Sequence, residues 1–130
     1  MVAHGKANLS HLELARRGEE AAARYLRAKG YRVVERNYRG RAGEIDLIAE
    51  HGADLVFIEV KTRTSADFQR PIEAVTSAKQ RRIIGTAQAY LRERVGRERR
   101  YRFDVVEVMM SPQGRIESIE ITAGAFSAGG

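Results

Sequence analysis

Four side chains have the types and spacings to do chemistry together: Glu19, Asp46, Glu59 and Lys61. Asp46 and Glu59 fall in two apolar-rich segments, Glu44–Ala49 and Leu55–Thr62, separated by His51-Gly-Ala-Asp54. A tight turn there makes the segments a hairpin. Each acid lies several residues out from the turn, so the two can meet across the ladder. Two carboxylates so placed suit Mg²⁺ or Mn²⁺, hard cations that take oxygen ligands and keep several waters. In Glu59-Val-Lys61 the acid and the lysine share one strand face. Beside a metal, that ammonium can help orient or deprotonate a water, or stabilise the charge on a phosphate under attack. Taken alone, Glu-x-Lys is more often an ordinary ion pair on an exposed strand. The coincidence with Asp46, with an inward Glu19 and with Gln80 at the start of a helix is what points to chemistry.

The elements that must position these residues are readable in outline. A helix is expected from about Ser10 to Lys29, because Ser10 and Glu13 form a capping box and Gly30 can end it. Ala15, Ala22 and Leu26 form its apolar stripe, and Glu19 lies on that stripe. A carboxylate there is costly unless it is paired or holds a metal. Strands are expected at Tyr31–Asn37, Glu44–Ala49 and Leu55–Thr62, the last with Val56, Ile58 and Val60 on one face and Leu55, Phe57, Glu59 and Lys61 on the other. A polar loop, Thr64–Arg70, leads to Pro71, which can open a helical turn. A second helix is expected over Ser77–Arg94, with Ser77 and Gln80 as its capping box and Ile83, Ile84, Ala87 and Leu91 as its stripe. Strands then follow at Tyr101–Met109 and Arg115–Thr122. The order α-β-β-β-α-β-β predicts an α/β fold with a mixed central sheet flanked by helices. Asp104, on one face with Val106 and Val108, reads as a structural acid paired with an arginine.

With 130 residues the chain has the length of one domain. Its expected core is about residues 10–122, with 1–9 and 123–130 flexible. Cysteine is absent, which excludes disulfides, cysteine-ligated zinc, iron–sulfur clusters and thiol catalysis. No two histidines stand at zinc-ligand spacing. No apolar run approaches the ~18 residues that cross a membrane, and Met1–Ser10 contains no secretory h-region, so a cytoplasmic protein is expected. The net charge is +6, and the pI near 10.1 suggests an acidic partner, most commonly nucleic acid. Seven bases and one acid lie between Arg24 and Arg41, five acids and no base between Glu44 and Glu59, and nine bases and two acids between Lys79 and Arg102. An acidic block flanked by basic ones fits a cation site within a phosphate-binding surface, and it also fits ordinary charge clustering on a solvated surface. Candidate phosphate contacts are Arg39, Arg41, Arg63, Lys79, Arg97, Arg99 and Arg100.

Gly43-Glu-Ile-Asp-Leu-Ile48, Phe57-Ile-Glu-Val-Lys-Thr-Arg63, Lys79-Gln-Arg-Arg-Ile83 and Arg102-Phe-Asp104 together resemble the signature of the YraN family of small bacterial proteins, over roughly Glu13 to Val108. That family is similar to the PD-(D/E)XK, or restriction-endonuclease-like, nuclease superfamily, and in particular to archaeal Holliday-junction resolvases. The resemblance implies an αβββαβ core. It matches Asp46 to the motif's Asp, Glu59 and Lys61 to its (D/E)-x-K, Glu19 to the helix-borne acid and Gln80 to a helical Gln or Lys. Ile45 stands where the motif's proline would. The implied activity is a Mg²⁺- or Mn²⁺-dependent endonuclease acting on DNA, in branched or otherwise structured form. The resolvase analogy points to a homodimer, since a junction offers two symmetric cuts. The alternatives are a non-catalytic nucleic-acid-binding module on the same fold, or a basic domain that binds an acidic protein.

Overall fold

The computed structural model describes residues 7–65 and 75–129. The helical turn expected at Pro71 and most of the loop expected between Thr64 and Arg70 lie outside the described residues. Helix α1 spans His11–Ala28. The Ser10 hydroxyl accepts from the Glu13 N–H at 3.2 Å and the Glu13 carboxylate accepts from the Ser10 N–H at 3.5 Å, so both halves of the capping box form. Strands β1 (Arg32–Arg39), β2 (Glu44–His51) and β3 (Asp54–Thr64) follow, then α2 (Ser77–Tyr90), β4 (Tyr101–Met110) and β5 (Ile116–Phe126). The sheet runs in the order β1-β2-β3-β4-β5. All neighbours are antiparallel except β3 and β4, which are parallel and joined through α2. This is the mixed α/β sheet expected, with the αβββαβ core extended by β5.

The alternation along β3 explains why both helices are needed. Val56 and Ile58 join Val106 and Val108 in a cluster under Leu14, Ala22 and Leu26 of α1. Leu55 and Phe57 join Phe103 in a second cluster under Ile83, Ala87 and Tyr90 of α2. A strand buried on both faces is the rigid centre of the molecule, and it carries Glu59.

Helix α1 sits closer to the sheet than its alanine stripe suggests. Gly18 is buried, and a Cβ placed there would come within 2.0 Å of the Thr62 hydroxyl oxygen and 3.1 Å of its Cβ. Only glycine allows this approach, and the next residue is Glu19.

Several boundaries differ from expectation. The α2 cap is Thr76, whose hydroxyl accepts from the Lys79 N–H at 3.1 Å; a hydroxyl stands at both Thr76 and Ser77, and the backbone turns one residue early. The α-helix ends at Tyr90 and passes into one π-helical turn, Leu91–Val95, closed by Gly96 in the left-handed region. Strand β5 does not stop at Thr122, and residues 123–126 are not a loose tail. Gly124 N–H donates to Asp104 at 3.0 Å and the Phe126 ring stacks on Phe103. At the other end Leu9 is tied down, its N–H donating to the Pro112 carbonyl at 3.0 Å.

Candidate active site

The β2–β3 ladder pairs residue for residue from His51↔Asp54 out to Leu47↔Ile58 and then stops. Beyond that point the Val60 N–H has lost its backbone partner and donates instead to the Asp46 carboxylate at 2.7 Å. The side chain of Asp46 thus fills the opening between the two strands. The local sequence explains the break. Ile45 and Ile48 both belong to the α2-side cluster, an odd interval that strict alternation does not permit. Opposite Asp46, between the pairs Arg36↔Leu47 and Tyr38↔Ile45, stands Asn37 with φ 51°. Asparagine tolerates this left-handed geometry better than most residues.

Glu59 is 5% exposed, and it hydrogen-bonds Asp46. Burial, that hydrogen bond and the neighbouring Glu59 charge push the Asp46 carboxyl up to about 9, against the opposing pull of the Val60 N–H. Glu19 reaches the pair from α1. Its own carboxyl is raised, first by burial and then by Glu44 and Glu59, while a hydrogen bond from Asn37 works the other way. Three acids from three elements therefore feel one another's charge. The Lys79 ammonium comes from α2 and ion-pairs with Glu59 Oε2, an oxygen that is buried and accepts no well-formed hydrogen bond. Among the described residues, no three acids or histidines converge as a ready-made ligand cage; the lysine occupies the outer side of Glu59.

The expected residues divide accordingly. Asp46 and Glu59 are brought together, and Glu19 lies near enough to feel their charge. Lys61 is half-buried two residues beyond Glu59, on β3 opposite Glu107 of β4. The Gln80 amide donates to the Val75 carbonyl at 3.0 Å. Lys79, read as a phosphate contact, is the α2 residue that reaches the acids. Arg39 pairs with Glu44 at 3.0 Å, Arg41 is exposed and Arg63 is half-buried. Arg99 and Arg100 pair with Glu50 and Asp54 at the opposite end of the sheet, and Arg97 is exposed near them. Asn37 was missed. The signal for it is an asparagine inside a strand of Val and Tyr, where that residue is disfavoured unless the backbone is irregular.

A second polar cluster is structural. Asp104 is fully buried and accepts from Tyr31 at 2.9 Å and from Arg102 at 3.0 Å. Arg102 also reaches Asp54 at 2.8 Å, and His51 stacks on Tyr31. The arginine partner expected for Asp104 is there.

A family profile described as uncharacterised protein family UPF0102 matches residues 18–108, a span that includes Glu19, Asp46, Glu59, Lys61 and Lys79 and excludes β5. The UPF0102 protein STH1475 of Symbiobacterium thermophilum is 54% identical over 111 residues, covering 85% of this chain and 93% of the relative. A UPF0102 protein of Caldicellulosiruptor saccharolyticus is 41% identical over 88% of this chain and 97% of its own length. One from Dictyoglomus turgidum is 38% identical over 91% of this chain and its whole length.

Proposed function

The chain belongs to the uncharacterised protein family UPF0102, and from the acids within the matched segment we propose a metal-dependent endonuclease that hydrolyses phosphodiester bonds in DNA, with branched or structured DNA as its substrate. The resemblances to the YraN family and to PD-(D/E)XK nucleases are part of this reading. The observation that carries it is the Asp46–Glu59 pair: two carboxylates in contact inside the fold, one of them pushed up to about 9. A pair ionised together is destabilising unless a cation offsets its charge, and the Lys79 ammonium stands at Glu59 Oε2 as one such cation. An all-carboxylate donor set fits Mg²⁺ or Mn²⁺.

Glu19, Asp46 and Glu59 would hold the ion, with Lys79 giving up its place on Glu59. Held there, the ion would supply a Lewis acid for the phosphate and would lower the pKa of a coordinated water. The protein's own contributions are these. The Val60 N–H fixes the rotamer of Asp46, Asn37 orients Glu19, and Gly18 sets the distance of α1. Lys61 projects on from Glu59 to stabilise charge gathering on the scissile phosphate. The alternative, a non-catalytic nucleic-acid-binding module, draws on the Lys79–Glu59 ion pair, which already neutralises the buried acid.

The test is a panel of labelled linear, nicked, single-stranded and four-way DNAs with Mg²⁺ and with Mn²⁺, run for the wild type and for Lys61→Arg and Lys61→Ala. A binding module needs only positive charge at position 61, so Lys61→Arg would be silent. A lysine beside the attacked phosphate cannot be replaced by the broader guanidinium, and a misplacement of ~1 Å can cost on the order of a hundredfold in rate. Both variants are expected to lose cleavage in single turnover while Lys61→Arg keeps affinity within a few-fold. Full cleavage by Lys61→Arg, or none by the wild type on any substrate, favours the binding module.

A further inference from the structure

The π-helical turn after α2 and the segment leading into β4 enclose an open depression of about 850 Å³, lined by Leu91, Arg92, Arg97, Arg99, Arg100 and Tyr101. It lies at the far end of α2 from Lys79, about 18 Å along the helix at 1.5 Å per residue, so it is separate from the acid site. Four arginines face one acid, Glu98. Two of the four are anchored: Arg99 to Glu50 at 3.1 Å, and Arg100 through its Nε to Asp54 at 3.0 Å, which leaves the Arg100 terminal nitrogens available. Arg92 and Arg97 are exposed, and neither has an ion-pair partner among the described residues. Tyr101 is 37% exposed, and its ring is held by edge-on contacts with Phe57 at 6.1 Å and Phe103 at 5.9 Å. The result is a fixed, partly exposed aromatic ring bordered by guanidinium groups with spare donors.

We infer that this groove docks a single strand of nucleic acid, with phosphates on Arg92 and Arg97 and a base stacked on Tyr101. Charge alone would suit an acidic peptide equally. A rigid exposed ring among arginines is the arrangement that engages unstacked bases, and a duplex would keep its bases away from the ring. The inference rests on the reading of this protein as one that handles nucleic acid, and it extends that reading to a strand held beyond the point of cleavage.

The experiment measures binding of a fluorescently labelled oligothymidylate in EDTA, across a series of NaCl concentrations, so that no divalent ion and no cleavage enter. The Arg92→Ala/Arg97→Ala double variant is expected to bind at least about tenfold more weakly, with a log–log salt slope shallower by roughly 1.4, since each phosphate contact on a single strand contributes about 0.7. Tyr101→Leu is expected to weaken binding on the order of tenfold and Tyr101→Phe to retain wild-type affinity, because stacking needs the ring and not the hydroxyl. Wild-type affinity in the arginine variant overturns the inference, as does a wild type that binds no oligonucleotide. Competition by polyglutamate as effective as by unlabelled oligonucleotide assigns the groove to an acidic protein instead. Failure of the metal-dependent substrate panel counts against the acid site and leaves this measurement unaffected.

Discussion

Asp46→Asn is expected to yield a protein that melts higher than the wild type at pH 8 and has lost DNA cleavage. The carboxyl of Asp46 moves from the usual 3.8 when unfolded to about 9 in the fold. A raised acid favours the folded state fully only below the unfolded value, and that contribution is lost as pH climbs toward the folded one. Between about pH 4 and pH 9 the wild type therefore loses stability with each pH unit, reaching a cost of a few kcal/mol at neutral pH. Asparagine keeps the oxygen that accepts from Val60 and offers an N–H to Glu59, without the ionisation. Its melting temperature is expected to exceed that of the wild type by several degrees at pH 8, with the gap closing toward pH 4. Cleavage is expected to fall by several orders of magnitude while affinity for DNA persists, because the proposed metal ligand is gone and the basic surface is not. Glu59→Gln is expected to lose cleavage too, with a smaller thermal gain since Lys79 forfeits its partner. Calorimetry across pH, paired with single-turnover assays, checks both. An Asp46→Asn protein that is unfolded or less stable at pH 8 would show that the carboxylate is structural.

Gly18→Ala is expected to be the most damaging single methyl on α1. On helix propensity alone the change should help by about 1 kcal/mol. The new Cβ instead meets the Thr62 Oγ1 at 2.0 Å and the Thr62 Cβ at 3.1 Å. The β-branched threonine has few rotamers into which to retreat, so α1 must lift from β3, at a net cost of about 1–3 kcal/mol. Glu19 moves with it, and in the proposed site a displacement of ~1 Å at this ligand carries on the order of a hundredfold loss in rate. Thr62→Ala in the same chain removes the shortest clash and is expected to restore part of the melting temperature. A Gly18→Ala variant with wild-type melting and cleavage would mean that the helix tolerates a wider spacing and that Glu19 has no part in the chemistry.

The parts of this architecture that could be read from the sequence are those specified by neighbours along the chain. The Ser10–Glu13 box, the two faces of β3 and the charge of Asp104's partner segment are local patterns with one physical solution each. Asp46 and Glu59 could be singled out from the hairpin spacing, and Glu19 from its place on an apolar stripe where a carboxylate is costly. What escaped depends on through-space fit. Nothing in Thr76-Ser77 says which hydroxyl caps α2. Nothing near Gly18 announces Thr62. The reach of Lys79 to Glu59 depends on where α2 lands on the sheet. Ala123-Gly124-Ala125 has little strand propensity of its own, and β5 continues through it because Asp104 and Phe103, a strand away, receive Gly124 and Phe126. Arg99 and Arg100 read as phosphate contacts from charge alone, whereas in three dimensions each has a carboxylate beside it.

The single parallel pairing in the sheet governs how the molecule assembles. The β1–β2, β2–β3 and β4–β5 contacts join strands adjacent in the chain and can close early. The β3–β4 ladder, Leu55↔Tyr101 through Thr64↔Met110, cannot form until the whole of α2 and the turn after it have been brought round, with a correspondingly large loop-closure entropy. Refolding is therefore paced by the arrival of β4 on β3, late contacts of the kind that slow mixed α/β domains. A truncation of Phe103, which sits on that seam, is expected to slow refolding, and one of Ile119 in β5 to act mainly on unfolding. Equal effects of both on the refolding limb in stopped-flow would place the seam elsewhere. Until the seam closes, the nascent chain holds its acids on one half and Lys79 on the other, so the buried carboxylates meet their counter-charge only as the last step of folding is completed.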